Sequence, residues 1–365
     1  MYKKPILLVG SGARLAGASE LIYKFARKTH IPVLTTMNAV DLAQDDIRIG
    51  FIGTYGNRAS NMIIAEADLV IAVGARLGLR QIGHKKEFFA PKAKLIRVDI
   101  DQNELSRNVK EDEEKHLMDA ADYMKELLEK DFPDYSEWFA KCMKVKKLLD
   151  KCDNVEGNDA IEKIGSFLPE NSVCAIDIGQ NVCWSAQSLA LKGEKGRILI
   201  GGSYGSMGCA LPYAIGASIS RSNAITYCIT GDGGLQMNIQ ELETVHREEL
   251  PIKILVLNNR VLGKISEIQH VSYNDRYAQT TPESGYTVPN FEKIAIAYGI
   301  KATKLESYKE LDNVKDWFYD NDPCLINIML PEDTLLIPKI TWDTCSIKPE
   351  IEESIQAEVE AILRS

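Results

Sequence analysis

Long apolar runs, basic stripes and internal repeats are all missing from this 365-residue sequence. No stretch has 18 consecutive apolar residues, so no transmembrane helix is expected. The apolar residues 6–9 run directly into Gly10 and predict a first β-strand rather than a signal peptide. The 43 Lys and Arg are outnumbered by 52 Asp and Glu, which gives a formal net charge of −9. We therefore expect a soluble, cytoplasmic, globular protein with neither a nucleic-acid nor a membrane partner.

Metal-binding cysteine pairs are also missing. The eight cysteines are scattered, without a Cys-x-x-Cys pair and without histidines at zinc-ligand spacing. Cys228 stands in the apolar run 225–229, which is typical of a free, buried thiol. The cysteines are therefore predicted to be structural.

Short β-branched runs alternate with helical patterns in both halves of the chain, which predicts parallel sheets covered by helices. The fold class is therefore α/β, with two doubly wound parallel-sheet domains. Strands are predicted at 5–9, 32–36, 69–73 and 93–99, and again at 172–178, 198–200, 224–230, 253–257 and 324–329. Helices are predicted at 17–28 and 58–66. A charged, helix-prone stretch at 111–151 is interpreted as a solvated helix face linking the two domains.

Two glycine-rich turns suggest functions that their contexts disfavour. The turn from Gly10 to Gly17 would need a third glycine at Leu15 for a dinucleotide fingerprint. The next strand also ends without an acid for a ribose hydroxyl, which disfavours a nicotinamide dehydrogenase. The turn 201–205 fits the Gly-x-Ser-x-Gly elbow of a hydrolase, with Ser203 as nucleophile. Only His246 and His270 follow it, and His246 falls inside a predicted helix at 236–247, which disfavours a serine hydrolase.

The third turn is more specific. Gly231-Asp232-Gly233-Gly234 follows one buried-type strand, and Asn258-Asn259 ends the next. Asp232 and Asn259 are therefore predicted to stand at the carboxyl ends of two strands joined by one crossover, where doubly wound sheets bind ligands. A carboxylate and an amide oxygen suit Mg²⁺, which also takes phosphate oxygens. Glycines let a diphosphate approach the backbone, so the turn predicts a magnesium-diphosphate site.

This pattern, with Asn259 following Asp232 by 27 positions, resembles the thiamine-diphosphate motif. Segments 177–181, 201–212, 238–242 and 258–263 are similar to the acetohydroxyacid synthase (acetolactate synthase) large subunit family. In the first half, 74–76 and 98–101 look like the central domain of that family. The resemblance implies a central Rossmann-like, FAD-associated domain at 1–128, a helical linker at 129–155, a thiamine-diphosphate and magnesium domain at 156–331, and a C-terminal tail at 332–365.

The resemblance also implies site residues by position. Mg²⁺ would be held by Asp232, Asn259 and the main-chain carbonyl of Val261, and Met207 would be the apolar wedge beneath the thiazolium ring. The residues expected to contact thiamine diphosphate are Gly179, Gln180, Asn181, Gly205, Ser206, Met207, Gly231, Asp232, Gly233, Gly234, Asn259, Val261, Leu262 and Gly263. A structural FAD would lie against Gly10, Thr36, Gly53, Arg76, Asp99, Ile100 and Asp119.

The function implied is that of a thiamine-diphosphate-dependent carboligase. Such an enzyme decarboxylates pyruvate and joins the two-carbon unit to a second 2-keto acid, and the product from two pyruvates is 2-acetolactate, a precursor in branched-chain amino-acid biosynthesis. The cofactor carries this chemistry, and the protein supplies orientation and electrostatics.

The chain departs from the family in what it lacks. The first domain, of about 150 to 200 residues, has no counterpart here, and in the family it carries the glutamate that protonates the aminopyrimidine ring. No catalytic residue can therefore be assigned, and weak or no activity is expected of the isolated chain. The chain is either truncated or works as a homo- or hetero-oligomer with a chain that supplies a pyrimidine domain.

Two replacements and the tail leave further alternatives open. Ile268 stands where the family has the tryptophan of the acceptor pocket, and Gly78-Leu79 replace paired acids on the flavin side. The acceptor could therefore be another compound such as a keto-sugar, or the chain could be a non-catalytic thiamine-diphosphate-binding protein. The tail, with a helical pattern at 351–363, is expected either to fold over the active site or to form a surface helix.

Overall fold

Two six-stranded parallel sheets, the architecture that the sequence predicts, are present in the structure. The computed structural model describes residues 2–43, 46–193, 195–202 and 204–365. The chain divides into one unit built from Met1–Asp153 and Ile337–Ser365 and a second built from Asn154–Leu336. The predicted α/β fold with two doubly wound domains is thereby confirmed.

The first unit contains a sheet whose strands are largely buried, as expected of a parallel sheet that is covered on its faces. Its strands are β1 Pro5–Val9, β2 Val33–Thr35, β3 Arg48–Phe51, β4 Leu69–Val73, β5 Lys94–Asp99 and β6 Glu114–Leu117. Their order is β3-β2-β1-β4-β5-β6, so the strand order reverses between β1 and β4. The two strands of this sheet that the sequence did not predict, β3 and β6, lie at its two edges, and β6 carries charged side chains within the stretch that was expected to be helical.

Helices of the first unit come from both ends of the chain. They are α1 Ser11–Leu15, α2 Ser19–Thr29, α3 Arg58–Glu66, α4 Leu79–Ile82, α5 Gln102–Ser106, α6 Ala120–Glu129, α7 Ser136–Leu149 and, from the tail, α15 Glu353–Arg364, with 3₁₀ turns at Met37–Ala39 and Lys86–Phe88. Helix α15 buries Val359 and Leu363 and packs on α7 and α3. The tail also contains an antiparallel pair of strands, β13 Lys339–Ile340 and β14 Ile347–Lys348.

A buried arginine joins the tail to the rest of the first unit. The guanidinium of Arg58, 4% exposed, donates to the carboxylate of Asp153 (Nε–Oδ2 2.8 Å) and to the main-chain carbonyl of Pro349 (2.6 Å). Of the two tail conformations that the sequence leaves open, the structure therefore has α15 as a helix on the first unit.

The second unit has the same architecture with a different strand order. Its strands are β7 Val173–Ile176, β8 Arg197–Ile200, β9 Thr226–Gly231, β10 Ile252–Asn258, β11 Lys301–Leu305 and β12 Cys324–Met329. Its helices are α8 Glu156–Phe167, α9 Gln180–Ser188, α10 Ala210–Ser220, α11 Asp232–Met237, α12 Leu242–Arg247, α13 Gly263–Tyr273 and α14 Phe291–Ala297, with 3₁₀ segments at Ile239–Glu241, Pro282–Ser284 and Tyr308–Phe318. The strand order is β11-β12-β10-β9-β7-β8, which reverses between β7 and β9.

The single helix predicted at 236–247 is wrong. The segment breaks at Asn238, whose backbone leaves the helical region (φ −135°) while its side-chain nitrogen donates to the carbonyl of Gly208 (2.8 Å). A side chain that binds backbone elsewhere competes with helix continuation.

None of the helices in the described ranges combines the length and the hydrophobicity that a membrane span requires.

Three buried thiols are expected to resist alkylation. Burial raises the pKa of Cys142 and Cys228 well above the usual value and that of Cys324 to about 12, so at pH 8 these thiols stay protonated and unreactive. Iodoacetamide followed by peptide mapping should leave them unmodified in the native protein and modify them after unfolding. Partly exposed Cys345 is the internal control, and native labelling of any of the three would contradict the assignment.

Candidate functional site

The point where strand order reverses in the second sheet is the natural place for a ligand. Strands β9 and β10 run parallel with Leu257 opposite Gly231, so the residues that follow them, Asp232 and Asn259, emerge at the same edge of the sheet. This placement is the one predicted from the sequence. Neighbouring β7 ends at Ile176, which brings segment 177–181 to that edge as well.

Asp232 is the central acidic group of this site. It is 2% exposed, and its Oδ1 accepts hydrogen bonds from the backbone N–H of Gly233 (2.6 Å) and the hydroxyl of Tyr286 (2.8 Å). Its Oδ2 accepts from the backbone N–H of Arg260 (2.7 Å). Burial raises the pKa of Asp232 to about 6, and among the described residues no Lys, Arg or His side chain pairs with it. A buried carboxylate without a counter-charge is costly, so the site favours a cation.

The loop 259–261 joins Asp232 to the end of β10. The contact from Arg260 places its two neighbours, Asn259 and Val261, beside the carboxylate. Arg260 itself adopts a left-handed conformation (φ +59°), which is uncommon outside glycine and is often found at functional sites. The amide nitrogen of Asn259 donates to Oε1 of Gln180 (3.0 Å), so its orientation is fixed by a residue from another strand end.

The oxygen atoms of Asp232 and of the loop 259–261 fit a small hard cation. A carboxylate, an amide oxygen and a main-chain carbonyl are ligands that Mg²⁺ accepts, completed by water or phosphate. Among the residues that the structure describes, no group of three or more His, Cys, Asp or Glu side chains could hold a metal. An ion here would therefore depend on the set predicted from the sequence: Asp232, Asn259 and the carbonyl of Val261.

Glycines bring the surrounding elements close together. A Cβ atom on Gly233 would lie 2.7 Å from Cδ2 of Leu262, 3.1 Å from the hydroxyl of Tyr286 and 3.2 Å from Cε of Met207. A Cβ atom on Gly234 would lie 2.6 Å from Oδ2 of Asp177. The structure therefore gathers residues from four separate segments around α11, and side chains at these two positions would displace them.

Asp177 is a site residue that the sequence reasoning missed. It is 1% exposed and accepts hydrogen bonds from the backbone N–H of Gly208 (3.0 Å) and the hydroxyl of Thr230 (3.2 Å). Burial raises its pKa. The contact with Gly208 anchors the segment that carries Met207, which is 39% exposed and presents an apolar side chain. The signal was available, because Asp177 lies near the end of the strand predicted at 172–178 and is the first residue of segment 177–181.

The start of α9 lies at the same edge. Gly179 has φ +118°, a conformation that side chains rarely adopt, and the helix begins at the next residue, Gln180. Helix N-termini attract phosphate groups. The side-chain nitrogen of Gln180 donates to the carbonyl of Thr334 (3.0 Å), and that of Asn181 to the carbonyl of Asp177 (2.9 Å), so both side chains are held by backbone.

The other residues predicted to contact thiamine diphosphate differ in their exposure to solvent. Gly205 has φ +64°, Ser206 is exposed, and Gly263 and Leu262 are partly buried. Ser203, the nucleophile of the disfavoured hydrolase, lies outside the described residues. Tyr286 had no sequence signal, because nothing in a loop 54 positions after Asp232 indicates that the two would meet.

The residues predicted for FAD all lie at the carboxyl edge of the first sheet, one group after each strand. Asp99 is the last residue of β5 and Ile100 follows it, while the residues that follow β1, β2, β3, β4 and β6 are Gly10, Thr36, Gly53, Arg76 and Asp119. Some have local partners. Asp119 caps α6 by accepting from the N–H of Ala121 (2.8 Å), and Arg76 pairs with Glu104 (2.8 Å). Ile100 is 73% exposed, an apolar surface that a flat ligand would cover.

Comparison with known proteins gives two adjoining family matches. Residues 1–127 match the central domain of thiamine pyrophosphate enzymes, and residues 177–328 match the C-terminal TPP binding domain. Thiamine pyrophosphate is another name for thiamine diphosphate. The second match contains Asp177, Asp232, Asn259, Val261 and Tyr286, the residues at the candidate magnesium site.

Relatives from three kinds of organism are similar over most of the chain. The chain is 32% identical to a probable acetolactate synthase large subunit of Methanocaldococcus jannaschii, over 90% of this chain and 58% of that protein. It is 31% identical to the acetolactate synthase large subunit of Pyropia yezoensis, over 92% and 58%. It is 31% identical to the acetolactate synthase isozyme 2 large subunit of Escherichia coli K12, over 90% and 60%. The chain thus spans less than two thirds of the length of these relatives.

Proposed function

Because the chain belongs to the thiamine pyrophosphate enzymes, we propose that it is the part of an acetolactate synthase that binds magnesium and the diphosphate of the cofactor. The observation that carries this proposal is the hydrogen bond between Arg260 and Asp232. It joins the two loops of the motif around a buried carboxylate without a counter-charge. The similarity to acetolactate synthase large subunits supports the choice of reaction.

Each residue of the site has a role in this proposal. Asp232, Asn259 and the carbonyl of Val261 hold Mg²⁺, while Gly233 and Gly234 leave room for the diphosphate beside the start of α11. Met207 and Leu262, whose side chains both lie close to Gly233, provide the apolar surface on which the bound cofactor would rest. Thiamine diphosphate supplies the nucleophilic carbon and the electron sink for decarboxylation of a 2-keto acid, and the chain supplies binding and orientation.

The proposed substrate is pyruvate, as donor and as acceptor. Ile268, which replaces the tryptophan of the acceptor pocket, is 43% exposed on α13, so this face of the site is more open than a tryptophan would leave it. A larger acceptor such as a keto-sugar is the second candidate, and this opening favours it. If the chain uses no acceptor, its role is to bind thiamine diphosphate without catalysis.

The surface next to the site suggests that a second chain completes it. Helix α13 follows directly on the metal loop and has no buried residue, and Ile265, Ile268 and Val271 are all substantially exposed. Exposed apolar patches on a folded domain mark interaction sites. We propose that a homo- or hetero-oligomeric partner with a pyrimidine-binding domain covers this helix and brings the glutamate of that domain to the site. The cytoplasmic location expected from the sequence also stays a prediction.

FAD is proposed for the first unit, and its binding is testable by substitution. Ile100→Glu should weaken FAD binding about 10- to 100-fold, because burying one large apolar side chain contributes about 1.5–3 kcal/mol and the new carboxylate repels a diphosphate. Quenching of flavin fluorescence on titration of the chain measures the affinity. Ile219→Glu, at a 53% exposed position on α10, is the matched control. Equal affinity in both variants would contradict a flavin at this edge.

The test of the proposed function is product formation. The protein is purified from its source cells with bound partners retained and supplied with thiamine diphosphate, Mg²⁺, FAD and pyruvate. Acetolactate formation supports the proposal. Decarboxylation of pyruvate with carboligation only when a keto-sugar is added would support the second candidate, and saturable cofactor binding without turnover would indicate a non-catalytic role.

A further inference from the structure

The loop 279–286 contacts the candidate magnesium site at two points. The hydroxyl of Tyr286 donates to Oδ1 of Asp232 (2.8 Å), and the carbonyl of Thr280 accepts from the backbone N–H of Leu262 (2.8 Å). Leu262 directly follows Val261, whose carbonyl is a proposed ligand. One short loop therefore holds the carboxylate on one side and the second ligand loop on the other.

Internal hydrogen bonds make this loop rigid. The hydroxyl of Ser284 accepts from the N–H groups of Thr280 (3.0 Å) and Thr281 (2.9 Å), and the N–H of Tyr286 donates to the carbonyl of Thr281 (3.0 Å). Gly285 takes φ +104°, which lets the chain turn back toward Asp232. Thr280 is 2% exposed. The position of the Tyr286 hydroxyl is therefore set by the loop and does not depend on a freely rotating surface side chain.

We propose that Tyr286 is a positioning residue that fixes the orientation of the Asp232 carboxylate for Mg²⁺. This inference rests on the proposed function and deepens it. The terminal torsion of an aspartate is broad, so a carboxylate with one free oxygen samples many orientations. Here the N–H of Gly233 and the hydroxyl of Tyr286 hold Oδ1, while the N–H of Arg260 holds Oδ2. Without the hydroxyl, one backbone contact remains on each oxygen.

The test uses Tyr286→Phe, which removes only the hydroxyl. Partners that orient a metal ligand typically change metal affinity about 10- to 100-fold when removed, so we expect the Kd for Mg²⁺ to rise about tenfold. Isothermal titration calorimetry measures it on the full chain by titrating Mg²⁺ at fixed thiamine diphosphate. At saturating Mg²⁺ the Kd for thiamine diphosphate should return close to that of the wild type. A residue that only stabilises the fold would not raise the Kd for Mg²⁺ while the Kd for thiamine diphosphate at saturating Mg²⁺ stays close to that of the wild type.

Tyr277→Phe is the matched control, because its hydroxyl also donates to an aspartate, Oδ1 of Asp275 (2.9 Å), but on the exposed surface. We expect it to bind Mg²⁺ as the wild type does. If Tyr286→Phe binds Mg²⁺ with unchanged Kd, or loses both affinities together with thermal stability, the positioning role is overturned and the proposed function survives. If the wild type shows no magnesium-dependent binding of thiamine diphosphate, both are overturned.

Discussion

Replacing Asp232 by asparagine is expected to weaken magnesium-dependent binding of thiamine diphosphate more than a hundredfold. Asp232 is the only carboxylate in the proposed ligand set, and its removal takes away the charge that attracts Mg²⁺ into a buried site. The loss should therefore exceed the roughly 10- to 100-fold typical of residues that only orient a ligand. Calorimetry with thiamine diphosphate, at one fixed Mg²⁺ concentration that saturates the wild type, measures it, and Asp275→Asn, at an exposed aspartate of the same unit, is the control.

The raised pKa of Asp232 indicates that this substitution removes an unfavourable buried charge from the metal-free fold. Burial raises the pKa in the metal-free fold to about 6 from a usual 3.8, so the protonated form is favoured by folding. The stabilisation from that proton is full below pH 3.8 and is lost as the pH rises through 6. At pH 8 the buried charge is therefore a cost, which asparagine removes. Thermal unfolding of the metal-free variant at pH 8 checks this, and binding equal to that of the wild type would rule out Asp232 as a ligand.

Stripping the partner from the native complex is expected to lower the rate of acetolactate formation at least a hundredfold. Under the two-chain proposal the partner brings the glutamate that the family uses, and general acid–base catalysis contributes about 10²- to 10⁴-fold. Loss of positioning at a site left half open adds to the effect. The measurement compares the complex, the stripped chain and the stripped chain after the partner is added back.

The add-back is the control for this second prediction, because a chain damaged by stripping would not recover. Binding of thiamine diphosphate by the stripped chain, measured in parallel, separates a lost catalytic group from a lost cofactor site. A stripped chain that forms acetolactate at ordinary enzyme rates would contradict the two-chain proposal. It would then require an acid–base residue within the 365 residues.

Much of the fold was readable from the sequence because parallel strands are buried on both faces. The run 69–73 is continuously apolar and the run 324–329 is apolar except for Asn327, and the structure has strands at those bounds, Leu69–Val73 and Cys324–Met329. The edge strand β6 lacks this signal. Glu114–Leu117 is charged and only partly buried, because it has a neighbour on one side alone, and its pattern was taken for a helix.

The helix predicted at 236–247 was wrong for a reason that no local pattern contains. Its periodicity is helical, but Asn238 binds the carbonyl of Gly208, a residue 30 positions earlier in the chain. The tail posed a similar problem. The sequence showed the helical pattern of the tail, but it did not show where the tail packs. That position depends on Arg58, which binds Asp153 and the carbonyl of Pro349.

The sequence by itself determined the proposed ligand set, since Asp232 and Asn259 follow two strands joined by one crossover, and chain connectivity alone brings such residues to one edge of a sheet. Only the tertiary structure decided what surrounds that set. Asp177 anchors the loop of Met207, and Tyr286 reaches Asp232 across 54 positions. The physical reason is that hydrogen bonds to a buried carboxylate come from whichever donors packing brings near, and packing is a property of the folded chain.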